Sequence, residues 1–446
     1  MRDTLEEFNK IKELCEPGNE YSSWLLAKEL FDIPRSVSGD GNLKTLEIIR
    51  GKIKSHFDIK FFDKQEYFSW STPKYWTLNQ ASITSLNGEV LISTDSNILH
   101  VLIHSSAYTG EVDRETLKAH LFIDTDPTAV PYRTTYYKET WGFCVTKAQF
   151  DMLMKHEKLK VTIDSTLEDK ATPYGEAVFK GGSSNELLIT SYICHPAMAN
   201  NELSGILLIV RLMLSLKELE RCKLLPITVR IVLAPETFGA IAYISENIEH
   251  LHKVNKGVLV CSCVGDGRMF SLIKGRNPGD FYKALRVSAT SVAKQYDINI
   301  KEYSFLDRGS DERQYSSPHV DLDVGTFCNS KFGEYPEYHT SLDNLDIISE
   351  EAIAISCEVV LRAIFFAGLN QNPTMIAPCE PMFSKYGLYP HTRDYVSTKK
   401  MVMDLLNFSA YSDGQHSIVD IAEICDLTDV EAIGLFRKFQ EKDVIK

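Results

Sequence analysis

The sequence predicts an α/β fold: a three-layer, mainly parallel sheet with helices on both faces, an inserted small β-rich domain, and a C-terminal three-helix module. Three observations predict it. Between residues 186 and 367 apolar strand-like runs alternate with helical ones, the pattern of a parallel sheet covered on both faces. From about Leu78 to Asp164 the chain instead shows short alternating runs broken by turn signals. Beyond Pro373, Pro378 and Pro381, which mark a linker, come three short helical segments and a final Val444-Ile445. The expected division is 1–77 with 171–372 for a discontinuous α/β domain, 78–170 for the insert, and 373–446 for the linker and tail.

At the N-terminal end, residues 3–32 read as one or two amphipathic helices, with Leu5, Phe8, Ile11 and Leu14 at helical spacing and Pro34 as a stop. Thr45–Phe57 is a further predicted helix and Asp58–Gln65 a strand. In the insert, Asn87-Gly88 separates Ala81–Leu86 from Glu89–Ser93, a hairpin signature. Val101–Ser105 and Leu121–Asp124 read as strands and Gln149–His156 as a short helix. The α/β run then predicts strands at Glu186–Ile193, Ile227–Ala234, Gly257–Val264 and Asp321–Gly325. Its helices are expected at Ser204–Glu220, Gly239–Asn247, Asp280–Gln295 and Ser349–Ala367. In the tail, helices are expected at Thr398–Tyr411, Ile418–Cys425 and Asp429–Gln440, with Ser417 and Thr428 as caps. Three short helices with a final strand look like a winged-helix module.

Bulk properties narrow the function class. The 446 residues are 44% apolar and 24% charged, ordinary for a globular chain with a large core. The net charge of −13 argues against a surface that coats nucleic acid. The start, Met1-Arg-Asp-Thr-Leu-Glu-Glu-Phe, has no apolar signal-peptide core, and no stretch approaches the ~20 apolar residues of a membrane span. Ten scattered cysteines suggest reduced thiols. The expectation is a soluble cytoplasmic protein without a membrane partner.

Chemistry-bearing residues gather at strand ends. Ser191-Tyr-Ile-Cys-His195 runs out of an apolar strand, then through Pro-Ala-Met-Ala-Asn-Asn201-Glu202-Leu-Ser-Gly205 into an apolar helix. Glu236 directly follows Ile227–Ala234. Cys261, Ser262, Cys263 and Asp266 end the next strand, and His339 lies in Tyr335-Pro-Glu-Tyr-His339-Thr-Ser-Leu-Asp343. In an open α/β sheet, ligands bind at the carboxyl ends of strands. Zinc hydrolases need imidazoles and carboxylates converging there, with a carboxylate base beside the metal's water.

These segments, with Leu233-Ala-Pro-Glu236-Thr237-Phe-Gly239 and Arg308-Gly-Ser310-Asp311-Glu-Arg-Gln, resemble the co-catalytic dizinc aminopeptidases of the bacterial leucyl aminopeptidase and aminopeptidase Y type. Over nearly the whole chain they resemble an uncharacterised bacterial branch associated with surface-polysaccharide biosynthesis, which has an inserted β-domain and a C-terminal winged helix. The resemblance implies a phosphorylase/hydrolase-like sheet and a zinc site. It implies that His195 and His339 are zinc ligands and Glu236 the general base. Asn201 falls where the superfamily has a zinc-bridging Asp, Thr237 where it has a Glu ligand, and Ala197 where it has an Asp that orients the first His. A cis peptide at Asn201–Glu202 is also implied.

A neutral Asn cannot balance two adjacent dications, and Thr is a poor zinc ligand. The expectation is therefore one zinc ion or none, held by His195, His339 and one of Cys263, Asp266 or Glu202, with Asn201 also counted among the metal-site residues. Arg133 and Tyr136 of the insert, and Tyr335 and Tyr338, are candidate substrate contacts. Arg308, Asp311 and Arg313 are expected to form a supporting ion-pair network, with Asp311 near the pocket.

The reading is a zinc-dependent aminopeptidase or amidohydrolase acting on a small amide, peptide or modified-sugar substrate. The alternative is a catalytically degenerate relative that binds a ligand or protein partner. A DNA-binding regulator is weaker, because from Ser397 onward six Lys/Arg (399, 400, 437, 438, 442, 446) face nine Asp/Glu (404, 413, 420, 423, 426, 429, 431, 441, 443). A protein-contact or self-association role suits that tail better.

Overall fold

The computed structural model describes residues 21–389 and 395–446, with side chains of the second stretch from 399. Of the one or two helices expected over residues 3–32, the part up to residue 20 lies outside the described residues; within the described part Ser23–Leu30 is helical.

An eight-stranded mixed sheet forms the centre. In chain order its strands are β1 (Phe57–Phe62), β2 (Thr172–Phe179), β3 (Glu186–Tyr192), β4 (Thr228–Ala234), β5 (Asn255–Cys261), β6 (Phe270–Lys274), β7 (Ile300–Tyr303) and β8 (Val324–Cys328). Their spatial order is β1-β2-β4-β3-β5-β8-β6-β7. The middle strands β4, β3, β5 and β8 are parallel, as is the outer β6–β7 pair; β1, β2 and β6 join antiparallel. Every residue of β3 is buried, as a strand covered on both faces requires.

Alternation along the strands sorts the two layers. Leu187, Ile189, Val229, Ile231, Leu259 and Cys261 pack with helices Ser23–Leu30, Asp40–Ile53, Ser204–Arg221, Asp280–Tyr296 and Glu350–Gly368. Leu188, Val232, Val258, Val260 and Val324 turn the other way, onto helix Phe238–Val254. Gly205 lets the helix Ser204–Arg221 start hard against the sheet: a Cβ there would lie 2.4 Å from Ser191 Oγ.

The insert is a four-stranded antiparallel sheet, ordered Val90–Ser93, Tyr75–Thr84, Lys158–Glu168, Tyr108–Asp113. Trp76, Ile83, Val101, Phe143, Val161 and Ile163 form its core. The hairpin turn holds Gly88 at φ +89°, the left-handed conformation that the Asn-Gly pair anticipates.

Several expectations are corrected. Val101–Ser105 is not a strand; Ile98–His100 is a 3₁₀ turn and Val101 makes a single bridge to Phe143. The strand expected at Asp321–Gly325 begins at Val324, because the Asp323 carboxylate accepts from the N–H groups of Gly279 and Phe281 at 2.8 Å. The helix expected to end at Asn247 runs to Val254. Among the described residues no peptide bond is cis, Asn201–Glu202 included.

The tail has helices Tyr395–Tyr411, Ile418–Ile424 and Asp429–Glu441, and Thr374 pairs through both its N–H and carbonyl with Lys446. Ser417 and Thr428 cap as expected, each in a reciprocal box with an acid three residues on. Ala284, Val287 and Phe366 of the α/β domain belong to the tail's apolar core. Lys283 pairs with Asp420 at 2.6 Å and Arg286 with Glu423 at 2.6 Å, so much of the tail's acid faces this internal contact. Among the described residues, no helix is long and apolar enough to cross a membrane.

Candidate active site

Each principal side chain comes off the carboxyl end of a strand or a loop above it. His195 is the third residue after β3, and Glu236 follows β4 across Pro235. His195 Nε2 lies 3.9 Å from Glu236 Oε2, and the His195 and His339 rings are 5.4 Å apart. Tyr132 of the insert packs against both, at 4.9 and 5.0 Å, and its N–H donates to the His339 carbonyl at 2.8 Å. A bridge from Pro131 to Thr340 ties the insert to the His339 loop. Ala197, Thr237, Cys263 and His339 all have φ between +49° and +64°. Non-glycine residues hold such conformations when the surroundings enforce them, commonly at functional sites.

Glu202 sits behind His195. Its carboxylate accepts from the N–H of Cys194, the N–H of His195 at 2.5 Å and Arg35 Nε at 2.8 Å, and lies 3.1 Å from His195 Nδ1. Burial opposes protonation of His195, but Glu202 and then Glu236 outweigh it and raise its pKa. His339 behaves oppositely: burial, then the charges of His195 and Arg133, hold it neutral with a pKa of about 3. Its Nε2 is buried without a partner.

Burial also raises the Glu236 pKa, against the pull of His195 and of Ser310, whose Oγ donates to Glu236 Oε1 at 2.7 Å. Asp311 accepts from the Thr237 N–H at 2.7 Å, and burial together with Glu236 pushes its carboxyl well up.

The other candidates fall in distinct places. Asn201 Nδ2 donates to the Tyr192 hydroxyl at 2.8 Å, while its Oδ1 is buried and unpartnered. Cys263 is buried, its sulfur 3.8 Å from the Asn201 carbonyl, with its thiol pushed up by burial. Asp266 is tied to the N–H groups of Arg268 and Ser330; among the described residues it makes no hydrogen bond to either histidine. Tyr136 shares a 2.8 Å hydrogen bond with the Tyr132 hydroxyl, and Tyr338 stacks on His339 at 3.9 Å. Tyr335 turns away to donate to Asp343, which also accepts from the N–H groups of Asn200 and Asn201. Arg133 is exposed beside the His339 loop.

The Arg308–Asp311–Arg313 network does not form. Arg308 donates to the Phe305 carbonyl, and Arg313 to Thr237 Oγ1 at 2.5 Å. Sequence reasoning gave no role to Arg35 or Ser310. Neither carries a local signal, because each reaches the site only through the tertiary fold.

The donor set fits one metal ion better than two. A neutral buried His339 with a free Nε2 and His195 Nε2 supply nitrogen ligands of the kind zinc takes, with the Glu236 carboxylate 3.9 Å from His195 Nε2. At the positions a second ion needs stand Asn201, whose uncharged amide donates to Tyr192 through its nitrogen, and Thr237, whose hydroxyl accepts from Arg313. Cys194, His195 and Glu202 also bring ligand atoms within 4.8 Å of one another, but the Glu202 oxygens already serve Arg35 and two backbone N–H groups.

Comparison with known proteins agrees with this fold. A Clostridium acetobutylicum protein named "Putative polysaccharide biosynthesis protein with aminopeptidase-like domain" is 35% identical over 94% of each chain. The crystal structure of a "putative peptidase" from the same organism superposes with a TM-score of 0.87 at 32% identity, covering 99% of each chain. A zinc aminopeptidase from Bacillus subtilis shares the fold at 12% identity, with a TM-score of 0.53 over 77% of this chain and 94% of its own. A peptidase M28 precursor from Shewanella amazonensis does so at 14% identity, with a TM-score of 0.55 over 82% and 97%. Residues 372–446 match the winged helix-turn-helix family. Residues 24–370 match the domain of unknown function DUF4910, and the chain belongs to that aminopeptidase-like family.

Proposed function

We propose that this protein is a zinc-dependent amidohydrolase of the aminopeptidase type. It would hold one ion at His195 and His339 and cleave a small amide, peptide or modified-sugar substrate. The relative's name supports placing that substrate in polysaccharide biosynthesis. The observation that carries the reading is the unpartnered, neutral Nε2 of buried His339, whose ring lies 5.4 Å from that of His195, which in turn faces Glu236. A buried imidazole nitrogen without a partner is costly unless something binds it.

Bound zinc would acidify a water and polarise the amide carbonyl. The chain's own groups do the rest. Glu236 takes the water's proton on the oxygen facing His195, while Ser310 holds its other oxygen in place. Its raised pKa brings it closer to the working range of a base that must later return the proton to the leaving amine. Tyr132 and Tyr136 wall the pocket with their hydroxyls paired, and Arg133 offers a free guanidinium at its mouth for an anionic group on the substrate.

Metal analysis of protein purified without chelator, paired with Glu236→Gln, tests the reading. About one zinc per chain and loss of amide turnover in the variant are expected. Metal-free protein whose activity survives Glu236→Gln would overturn it.

A second reading, a ligand-binding relative without turnover, is favoured by Asn201, a neutral amide whose nitrogen donates to Tyr192, and by Thr237, whose hydroxyl accepts from Arg313. DNA binding has the least support. Asp429, at the start of the third tail helix, is buried against Arg362, so that helix end is not free to enter a groove.

A further inference from the structure

We propose that Arg35 and Glu202 are positioning residues that lock His195 as the Nδ1–H tautomer and turn its Nε2 lone pair to the pocket. The inference deepens the metal-site reading and rests on it for the use of Nε2. Two residues after His195 stands Ala197, whose side chain can orient nothing.

The structure fills the gap from elsewhere in the chain. One Glu202 oxygen accepts from Arg35 Nε at 2.8 Å. The other takes the backbone N–H groups of Cys194 and His195 and lies 3.1 Å from His195 Nδ1. Arg35 closes the loop: its Nη2 donates to the His195 carbonyl at 3.0 Å and its Nη1 to the Leu30 carbonyl at 2.6 Å.

His195 is thus gripped at its N–H, its carbonyl and its ring by one ion pair whose two side chains are fully buried. A carboxylate only accepts, so the Nδ1 beside it carries the proton and Nε2 is left bare. Buried ion pairs add little to stability compared with apolar side chains of the same size. What this one adds is a fixed ring.

The first test uses the metal-free wild-type protein. Nitrogen-15 NMR of the ring, at a pH where His195 is neutral, should show the proton on Nδ1. A proton on Nε2 would overturn the proposal. The second test uses Arg35→Gln/Glu202→Gln, which keeps the site neutral and avoids stranding a buried charge. Glu202→Gln alone risks unfolding. The double variant should lose the single tautomer and bind zinc about 10–100-fold more weakly in chelator competition. An unchanged tautomer and unchanged affinity in the folded double variant would also overturn it.

Cobalt-loaded protein supplies a third readout. A strong thiolate charge-transfer band would put the metal on Cys194 instead and defeat the assignment. If neither protein binds metal, the hydrolase reading fails alone, and the tautomer still decides the role of Arg35 and Glu202.

Discussion

Arg362, on the last helix of the α/β domain, donates from Nε to the Asp429 carboxylate of the tail at 2.8 Å, and the Asp429 side chain has no solvent exposure. Asp429 starts the third tail helix, where its charge also faces the helix N-terminus. The tail is therefore joined to the domain by a desolvated charge pair as well as by apolar packing.

Replacing Arg362 with Ala strands that carboxylate. Losing one partner of a buried pair costs about 3–5 kcal/mol, and the helix N-terminus offsets part of this. A fall of about 3 kcal/mol in urea denaturation is expected, with faster proteolysis near 373–389. A change below about 0.5 kcal/mol would show that the pair is not buried in solution.

The same contact bears on nucleic acid. Full-length protein should give no salt-sensitive shift with duplex DNA, since the third helix starts inside an internal interface and the tail is net acidic. Fluorescence anisotropy over a salt series checks this; binding that weakens steeply with salt would contradict it.

Glu236 sets the acid limb of activity. The working form is the carboxylate, so kcat/KM should fall as pH drops through its raised pKa. The Ser310 hydroxyl donates to the charged form and lowers that pKa, so Ser310→Ala should raise it further. One hydrogen bond of about 1 kcal/mol corresponds to an acid limb about 0.5–1 pH unit higher. An unmoved limb, or one moved to lower pH, would contradict the assignment.

Asp343 predicts a stability effect of definite sign. Burial raises its pKa to about 6 from an ordinary 3.8, despite three hydrogen bonds to the carboxylate. The folded state thus binds the proton more tightly than the unfolded chain. The contribution is full below about pH 4 and is lost as pH rises through 6, by up to about 3 kcal/mol. Asp343→Asn lacks this titration. Urea midpoints at pH 4 and pH 7 should show the wild type losing ground to the variant as pH rises; parallel profiles would contradict the shift.

Much of the centre was legible because its signals are local. Glu186–Ile193 is a mainly apolar run, and a histidine just past its end is where a parallel sheet exposes polar groups. Strand β2 was missed because Pro173 and Gly175 are poor strand formers; tertiary packing overrides them, and a Cβ on Gly175 would strike the Phe57 ring at 2.2 Å. Strands β6 and β7 were missed because they are short, five and four residues. Within the site, Arg35 acts across 160 positions and Ser310 across 74, and no periodicity reports such partners.

The tie between the insert and the His339 loop also affects how the protein is made. Val130 and Ser341 meet across 211 positions, and Tyr132 holds the loop that carries the second imidazole. Contacts so distant form late, after costly chain closure. During synthesis the pocket stays without His339 until just over three-quarters of the chain has emerged, so a partly made chain carries the roof of the site well before it can grip an ion.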